Sequence, residues 1–349
     1  MAILAWLTVN HNCNLHCNWC YQREVANSRK NMSLSLAKRL VDFLCELGTV
    51  NNIILIGGEP TMYSHFLKLA SYIRSKGKVT NVVSNSIRFA SRAFVEQAEE
   101  AGVEAVTTSV KGSSSEEYLT ATGRDAFELT KKAIRNLEES KIFQQISVTM
   151  SISTIRNWQQ MVKFVKTCGS KKFNFSFEKP TILSNGIVFD DLMSPRNIAE
   201  FIQDVMYPSL LETGVKFKIE VMFPQCVLRD GFVEKLENEN RAFGGCLLAD
   251  REGIVFDPDG FLLPCNHFGG YPLGQFGKEF ETPKEFGEWK QVGDAGNFYR
   301  KIKAAPCERC VDCDKWSKCG AGCRLYWLYR GPDELLPLIP VKEVAYVTS

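Results

Sequence analysis

The sequence predicts an α/β fold: a six-stranded partial (β/α)6 barrel, TIM-like in plan, followed by a cysteine-rich C-terminal module. Three observations predict it. Short apolar segments of strand length alternate with amphipathic helical segments from Ala2 to about Lys179. The strand segments are β-branched or aromatic and mostly lack strict alternation, as parallel strands covered on both faces do. Seven of the 13 cysteines then fall after residue 240.

Taken in order, the first strand, Ile3–Val9, runs into Cys13-Asn-Leu-His-Cys17-Asn-Trp-Cys20-Tyr21. A helix follows from Ser33, whose hydroxyl is placed to cap it, with apolar residues at helical spacing through Leu44. Strands Asn52–Ile56, Val79–Ser84, Val103–Val110, Ile146–Ile152 and Phe173–Phe177 then alternate with helices Ser64–Ser75, Ser91–Ala101, Asp125–Glu139 and Trp158–Cys168. In such a barrel the loops at the strands' carboxyl ends carry the chemistry, and the first cysteine loop stands there. From residue 180 the texture changes. Asn185-Gly186 and Ser194-Pro195 mark turns, Asn197–Thr213 reads as a helix and Val215–Met222 as a strand. The expected division is a barrel core over 1–185, a bridge over 186–235 and the cysteine-rich module over 236–349.

At 349 residues the chain is long enough for more than one domain. Apolar residues make up 45% and charged residues 23%, the balance of an ordinary soluble protein. A formal charge of +2 asks for neither nucleic acid nor an anionic membrane as partner. The N-terminus lacks a basic leader region, and no apolar run approaches the roughly 20 residues of a membrane span. Thirteen cysteines without an export signal read as metal or redox chemistry in a reducing cytoplasm.

Cysteines spaced C-x3-C-x2-C can converge on one site from a single tight loop. A closed zinc site or a fully ligated iron–sulfur cluster takes four ligands, whereas three thiolates on a cluster leave one iron open. The second strand ends in Ile56-Gly57-Gly58-Glu59-Pro60-Thr61. Two glycines allow a tight bend and close approach to a ligand, Pro60 fixes the exit, and Glu59 is expected to project from the strand's end. Taken singly, these motifs also suit a zinc loop and a turn with a solvated acid. Together they resemble the C-x3-C-x2-C loop and GGEP motif of the radical S-adenosylmethionine (radical SAM) family. The resemblance implies a 4Fe–4S cluster on Cys13, Cys17 and Cys20, whose open iron chelates the amino and carboxylate groups of S-adenosyl-L-methionine. It also implies that Glu59 and the Gly57–Gly58 backbone hold the cosubstrate's amino group. One electron, from a donor such as flavodoxin or ferredoxin, would cleave the carbon–sulfur bond. The resulting 5′-deoxyadenosyl radical would take a hydrogen atom from a C–H bond of the substrate.

Further candidates follow from the same resemblance. Tyr21 and Trp19 either wall the adenine or belong to the core. Ser84-Asn85-Ser86 ends the third strand where relatives often show Thr-Asn-Gly. Ser109, in Ser109-Val-Lys111-Gly112, stands where many relatives show Ser-x-Asp-Gly, and is either a cosubstrate ligand or a turn serine. Tyr21, Gly57, Gly58, Glu59, Ser84, Asn85 and Ser109 are thus the cofactor-binding candidates. Lys111 replaces the familiar acid and receives no role. Arg124 and Arg156 read as surface or structural arginines able to pair with a carboxylate.

In the C-terminal part, Cys246 is followed after thirteen residues by Gly260 and after four more by Cys265, with a β-hairpin and Pro-Asp-Gly turn between them. Cys307 precedes Cys310, Cys313, Cys319 and Cys323, spaced C-x2-C-x5-C-x3-C. Thiolate sets of this kind suit zinc and iron–sulfur clusters alike. The pattern is similar to the SPASM domain of radical SAM peptide-modifying enzymes, which implies one or two auxiliary 4Fe–4S clusters. By that resemblance Cys246, Cys265 and Cys323 hold the first, and Cys310, Cys313 and Cys319 the second. The chain departs from the pattern in having no cysteine after Cys323, so Cys307 is the candidate for the second cluster's missing ligand. Cys226 is a buried small residue, a ligand, a fourth partner for the first cluster or a hydrogen-atom donor. Relatives that mature sulfatases carry an acidic base directly after the second cysteine of the C-x13-G-x4-C pair. Here Asn266 stands at that position, with His267 next as a candidate base or a structural histidine. Cys226 and His267 are the catalytic candidates.

The resemblance implies a maturase of a ribosomally made peptide, forming a crosslink, an epimer or a related product. The alternatives are a small metabolite such as a sugar or nucleotide, a sulfatase-maturing activity, and a non-catalytic metal-binding scaffold. The chain starts directly at the barrel, so a precursor peptide is expected to bind the barrel and module surfaces or to arrive with a partner protein.

Overall fold

The computed structural model describes residues 3–25, 28–168, 172–183, 186–188, 192–246, 248 and 253–329. The boundary expected after residue 185 and residues 330–349 of the expected module lie outside them. Contacts divide the chain into two compact units, Met1–Val148 with Gly253–Trp289 and Thr149–Glu252 with Lys290–Ser349.

The first unit is built on strands β1 (Ile3–Thr8), β2 (Val50–Ile56), β3 (Val79–Ser84), β4 (Val103–Val110) and β5 (Phe143–Met150). Each pairs parallel with the next in chain order, as Leu7 with Leu55, Leu55 with Val82, Val82 with Val106 and Val106 with Gln144. Between them run helices α1 (Leu34–Glu46), α2 (Phe66–Ser75), α3 (Arg92–Ala101), α4 (Ser115–Thr122) and α5 (Phe127–Glu138). Ser33 caps α1, its hydroxyl accepting from Leu36 N at 3.2 Å. Leu40, Val41 and Leu44 on that helix, Leu55 on β2 and Val82 on β3 are fully enclosed in one core. This is the mixed α/β, parallel-strand architecture that the alternating pattern predicts.

The hairpin between Cys246 and Cys265 forms as expected, with Ile254–Phe256 antiparallel to Phe261–Leu263. Its first strand also pairs parallel with β1, Ala5 opposite Ile254 and Leu7 opposite Phe256. The open edge of β1 is thereby covered, which removes an unpaired row of backbone donors and acceptors. Phe256, Phe276, Phe280 and Phe286 gather round Phe43 of α1 with ring centroids 5.3–6.1 Å apart, and they anchor Gly253–Trp289 to the first unit.

In the second unit Lys172–Phe177 pairs parallel with Lys216–Glu220, which pairs parallel with Ala242–Phe243. Phe173, Phe175 and Ile219 are fully enclosed. Trp158 packs edge-on against Phe175 and Phe201, 5.8 and 5.5 Å between centroids. The helix expected over Asn197–Thr213 begins earlier, at Pro195 capped by Ser194, and is interrupted by a π turn over Ile202–Met206. Pro208 lacks the N–H that an unbroken helix would use there. The strand expected at Ile146–Ile152 ends at Met150, because Ser151 caps a short helix, Ile152–Arg156.

Asp257 holds the hairpin turn: its Oδ1 accepts from Asp259 N at 2.9 Å and Phe261 N at 2.8 Å. Burial pushes its carboxyl up to about 6, against the pull of those two donors. A carboxyl raised in the folded chain contributes stability while protonated, and that contribution is lost as pH rises through the folded value. Asp257→Asn keeps the accepting oxygen. The stability of wild type minus variant, from urea unfolding, should therefore fall by at most about 3 kcal/mol between roughly pH 4 and pH 7. A difference independent of pH would refute the assignment.

Candidate metal and cofactor site

The cysteine loop is held between two neighbours. On one side the turn after β2 lies against the segment that leads into it: Gly58 N donates to Asn10 O at 2.9 Å, Glu59 N to Asn12 O at 2.8 Å, and Asn10 Nδ2 to Glu59 O at 2.9 Å. A Cβ on Gly57 would stand 2.2 Å from Asn10 Oδ1, and one on Gly58 2.5 Å from the carbonyl oxygens of His11 and Asn12. The two glycines thus serve a close approach of backbone to backbone. On the other side, His16 N and Asn18 N donate to the last carbonyls of α4, Thr122 at 2.9 Å and Ala121 at 3.0 Å. Leu15 seats in an apolar nest of Tyr118 and Ala126, with Cys13, Cys17, Ile87 and Phe127 around it.

This leaves Cys13, Cys17 and Cys20 half-buried on one loop. Leu15 N points at Cys13 Sγ and Gln22 N at Cys20 Sγ, both at 3.4 Å. Burial pushes the Cys13 thiol up to about 12, with Glu59, Cys17 and Cys20 adding to the shift. Cys20 is raised mainly by burial too, while the charges of Lys111 and Arg23 draw it back. Among the described residues no three His, Cys, Asp or Glu side chains are gathered for a single metal ion. Three thiols on one loop, two of them receiving backbone N–H donors, fit a cluster with three protein ligands.

Glu59 does not project. It is 1% exposed, and its Oε1 accepts from Thr61 N (3.1 Å), Thr61 Oγ1 (2.6 Å) and Ser84 Oγ (2.7 Å), while Oε2 accepts from Asn85 N at 2.8 Å. Burial raises its pKa and these donors oppose the rise. The carboxylate therefore ties the carboxyl end of β2 to that of β3. Asn85 carries the tie onward, its Nδ2 donating to Asn14 Oδ1 at 2.7 Å and standing 4.0 Å from Cys13 Sγ. Ser86 takes a left-handed φ of 62°, a region that favours glycine, and its hydroxyl bonds Thr108 at 3.0 Å. At the end of β4, Lys111 Nζ donates to Ser109 Oγ at 2.6 Å.

Tyr21 and His267 meet with ring centroids 5.4 Å apart. Burial raises the Tyr21 hydroxyl, and the Cys20, Cys13 and Cys265 thiols add to it, so Cys265 also faces this side of the loop. Asn10 Oδ1, Gln22 Oε1 and Asn266 Oδ1, on or beside this loop, are among the buried acceptors with no hydrogen-bond partner among the described residues. No spacing rule singles out Gln22 or Asn10; their burial without donors next to the cysteine loop does.

The second unit holds the other thiols. Cys246 and Cys323 are buried, and burial pushes Cys323 up to about 12, with Cys246 adding to it. Lys179 and Glu220, paired at 2.6 Å and each 13% exposed, also act on Cys323. Cys307 Sγ stands 3.5 Å from Cys310 Sγ, and Cys310 and Cys319 are raised, chiefly by burial. Cys226 is exposed, not the buried small residue the sequence also allows, because its short turn Gln225–Val227 lies at the surface; its neighbour Gln225 N points at Cys319 Sγ of this group at 3.3 Å.

Residues 7–168 match the Radical SAM superfamily. The chain is 25% identical over 290 residues to a 7,8-dihydro-6-hydroxymethylpterin dimethyltransferase of Methanocaldococcus jannaschii, covering 76% of this chain and 54% of that protein. It is 26% identical over 175 residues to a GTP 3′,8-cyclase of Mannheimia succiniciproducens, covering 49% and 51%. The chain spans about half the length of these curated relatives. Among solved structures, anSMEcpe with bound AdoMet has a TM-score of 0.71 at 19% identity, over 95% of this chain and 92% of that one. Streptococcus suis SuiB bound to precursor peptide SuiA has a TM-score of 0.69 at 17% identity, over 96% and 74%. Both likenesses establish the fold.

Gly58→Ala tests the backbone approach. With no room for a Cβ, the variant should lose about 1–3 kcal/mol in urea unfolding and retain less iron after anaerobic reconstitution. Unchanged values for both would show that the loop does not need this contact.

Proposed function

We propose that this chain, a radical SAM protein by its residues 7–168, cleaves S-adenosylmethionine reductively and turns the resulting radical on a ribosomally made peptide. Crosslinking, epimerisation and related C–H functionalisation are the product classes. The observation that carries the chemistry is the loop of three half-buried thiols, fixed on one side by the Gly57–Gly58 turn and on the other by α4.

When bound, a 4Fe–4S cluster on Cys13, Cys17 and Cys20 supplies the electron that breaks the carbon–sulfur bond. The chain's own residues prepare the site. Leu15 N and Gln22 N stabilise negative charge on Cys13 and Cys20, and Lys111 and Arg23 add positive potential at Cys20. Ser109 accepts from Lys111, which leaves its own hydroxyl hydrogen for an anionic ligand. Lys111 and Ser109 together suit the cosubstrate's carboxylate. Gln22 and Asn266 offer acceptors to its amino groups. Glu59 and Ser84 position these elements, and Tyr21 with His267 walls one side.

The peptide reading is supported by anSMEcpe and SuiB, each similar over nearly all of this chain and each solved with AdoMet and with a peptide. The C-terminal thiols suit auxiliary clusters. A flavodoxin or ferredoxin is the electron donor we expect. The second reading, a small metabolite, is favoured by the relatives that act on a pterin or on GTP.

Anaerobically reconstituted protein, reduced and given S-adenosylmethionine, should release 5′-deoxyadenosine. The Cys13→Ala/Cys17→Ala/Cys20→Ala variant should release none, and product from it would sink the reading. Deuterated candidate peptides encoded beside the gene should pass deuterium into 5′-deoxyadenosine. Transfer from GTP or a pterin instead would move the assignment to the second reading. Lys111→Ala should weaken S-adenosylmethionine binding about tenfold, the equivalent of about 1.4 kcal/mol, in equilibrium titration. An unchanged Kd would remove Lys111 from the site.

A further inference from the structure

In the second unit the segment after strand Lys216–Glu220 lies along the loop Cys319–Cys323. Cys323 N donates to Met222 O at 2.7 Å. Gly322, at φ +70°, lies so close that a Cβ there would stand 2.5 Å from Phe223 Cα. Gln225 N points at Cys319 Sγ at 3.3 Å. Val227 packs on the small cluster formed by Cys307, Ala321 and Trp327, with Cys310 and Trp316 beside it. The residue between Gln225 and Val227 is Cys226.

Cys226 is exposed, set between Gln225, whose N–H points at Cys319 Sγ, and Val227, which packs beside Cys310. Five thiols therefore share one neighbourhood, while a 4Fe–4S cluster takes four cysteines. Cys310, Cys313 and Cys319 come from one short stretch and can cover one side of a cubane. The fourth corner faces away from those three, so a ligand from a separate segment reaches it best. Cys226 comes from such a segment. Cys307 does not: it sits one turn from Cys310, 4% exposed among apolar side chains, its sulfur 3.5 Å from that of Cys310. Two sulfurs 3.5 Å apart are poorly spaced to bind separate irons of one cluster.

We infer that Cys226 is the fourth cysteine ligand of the auxiliary cluster held by Cys310, Cys313 and Cys319, with Cys307 left outside the ligand set. The inference rests on the reading that these thiols hold a cluster at all. It replaces the sequence-based assignment of Cys307 as that ligand. A sulfur bound to iron carries no hydrogen to give, so Cys226 is then not a hydrogen-atom donor.

The test uses full-length Cys13→Ala/Cys17→Ala/Cys20→Ala protein, reconstituted anaerobically so that all bound iron is auxiliary. Adding Cys226→Ala should remove about four irons per chain, or leave a three-iron cluster visible by electron paramagnetic resonance, and adding Cys307→Ala should remove none. The reverse result overturns the inference. Cys310→Ala is the control for the underlying reading: if it loses no iron, the cluster is absent and the failure lies there. Because a variant can misfold, wild-type protein is also alkylated with iodoacetamide before and after reconstitution. Cys226 should be modified in the iron-free chain and protected in the loaded one. Equal modification in both states overturns the inference.

Discussion

The close contact between residues 10–12 and residues 57–59 is the constraint on which the first site depends. A cluster ligand loop of eight residues cannot fix three thiols by its own hydrogen bonds. It has to borrow rigidity from the sheet. Here the loan comes from the turn after β2, whose backbone N–H groups are donated to the carbonyls of Asn10 and Asn12 at 2.8–2.9 Å. Any side chain at residue 57 or 58 would push those backbones apart. The glycine pair is thus a packing requirement of the cysteine loop before it is anything to a ligand.

Glu59 extends the same constraint sideways. Burying a carboxylate is costly unless its lone pairs are met, and four donors from Thr61, Ser84 and Asn85 meet them. The charge so placed does two things. It clamps the ends of β2 and β3 at the height of the cysteine loop, and it adds to the rise that burial imposes on the Cys13 thiol. Asn85, bonded both to Glu59 and to Asn14, makes the clamp and the loop one network. Such a network is cooperative, and loss of one member leaves buried groups unpaired.

Much of this was legible in the sequence because it is local. The strand–helix alternation, the Ser33 cap, the cysteine spacing and the Pro-Asp-Gly hairpin each depend on neighbours within a few residues. What was not legible depends on distant partners. Helix α4 has one large buried anchor, Tyr118, and so shows no apolar stripe, yet its last carbonyls hold His16 and Asn18. The pairing of Ile254–Phe256 with β1 joins residues some 250 apart, and nothing in either segment names the other. Glu59 illustrates the same limit. Its motif marks it as important, but only the positions of Ser84 and Asn85 reveal that it points inward.

The two units treat their thiols alike, and this bears on how the chain behaves without iron. Burial is the first cause of the rise at Cys13, Cys20, Cys226, Cys310, Cys319 and Cys323 alike, and neighbouring thiols add to it at Cys13, Cys20, Cys226, Cys310, Cys319 and Cys323. A thiol held high is protonated at neutral pH, and a protonated thiol is a weak nucleophile and a poor ligand. Assembly of a cluster must therefore expel protons as iron enters, so metal uptake is coupled to pH. The nearby cations lower that barrier where it matters: Lys111 and Arg23 at Cys20, Arg309 at Cys226, and Lys179 at Cys323. Each array thus carries its own positive partner, placed to ease the first deprotonation without forming a permanent ion pair with the sulfur. The burial that raises Cys13, Cys20 and Cys323 also shields a bound cluster from solvent, whereas Cys226 is exposed and open to reagents in the iron-free chain.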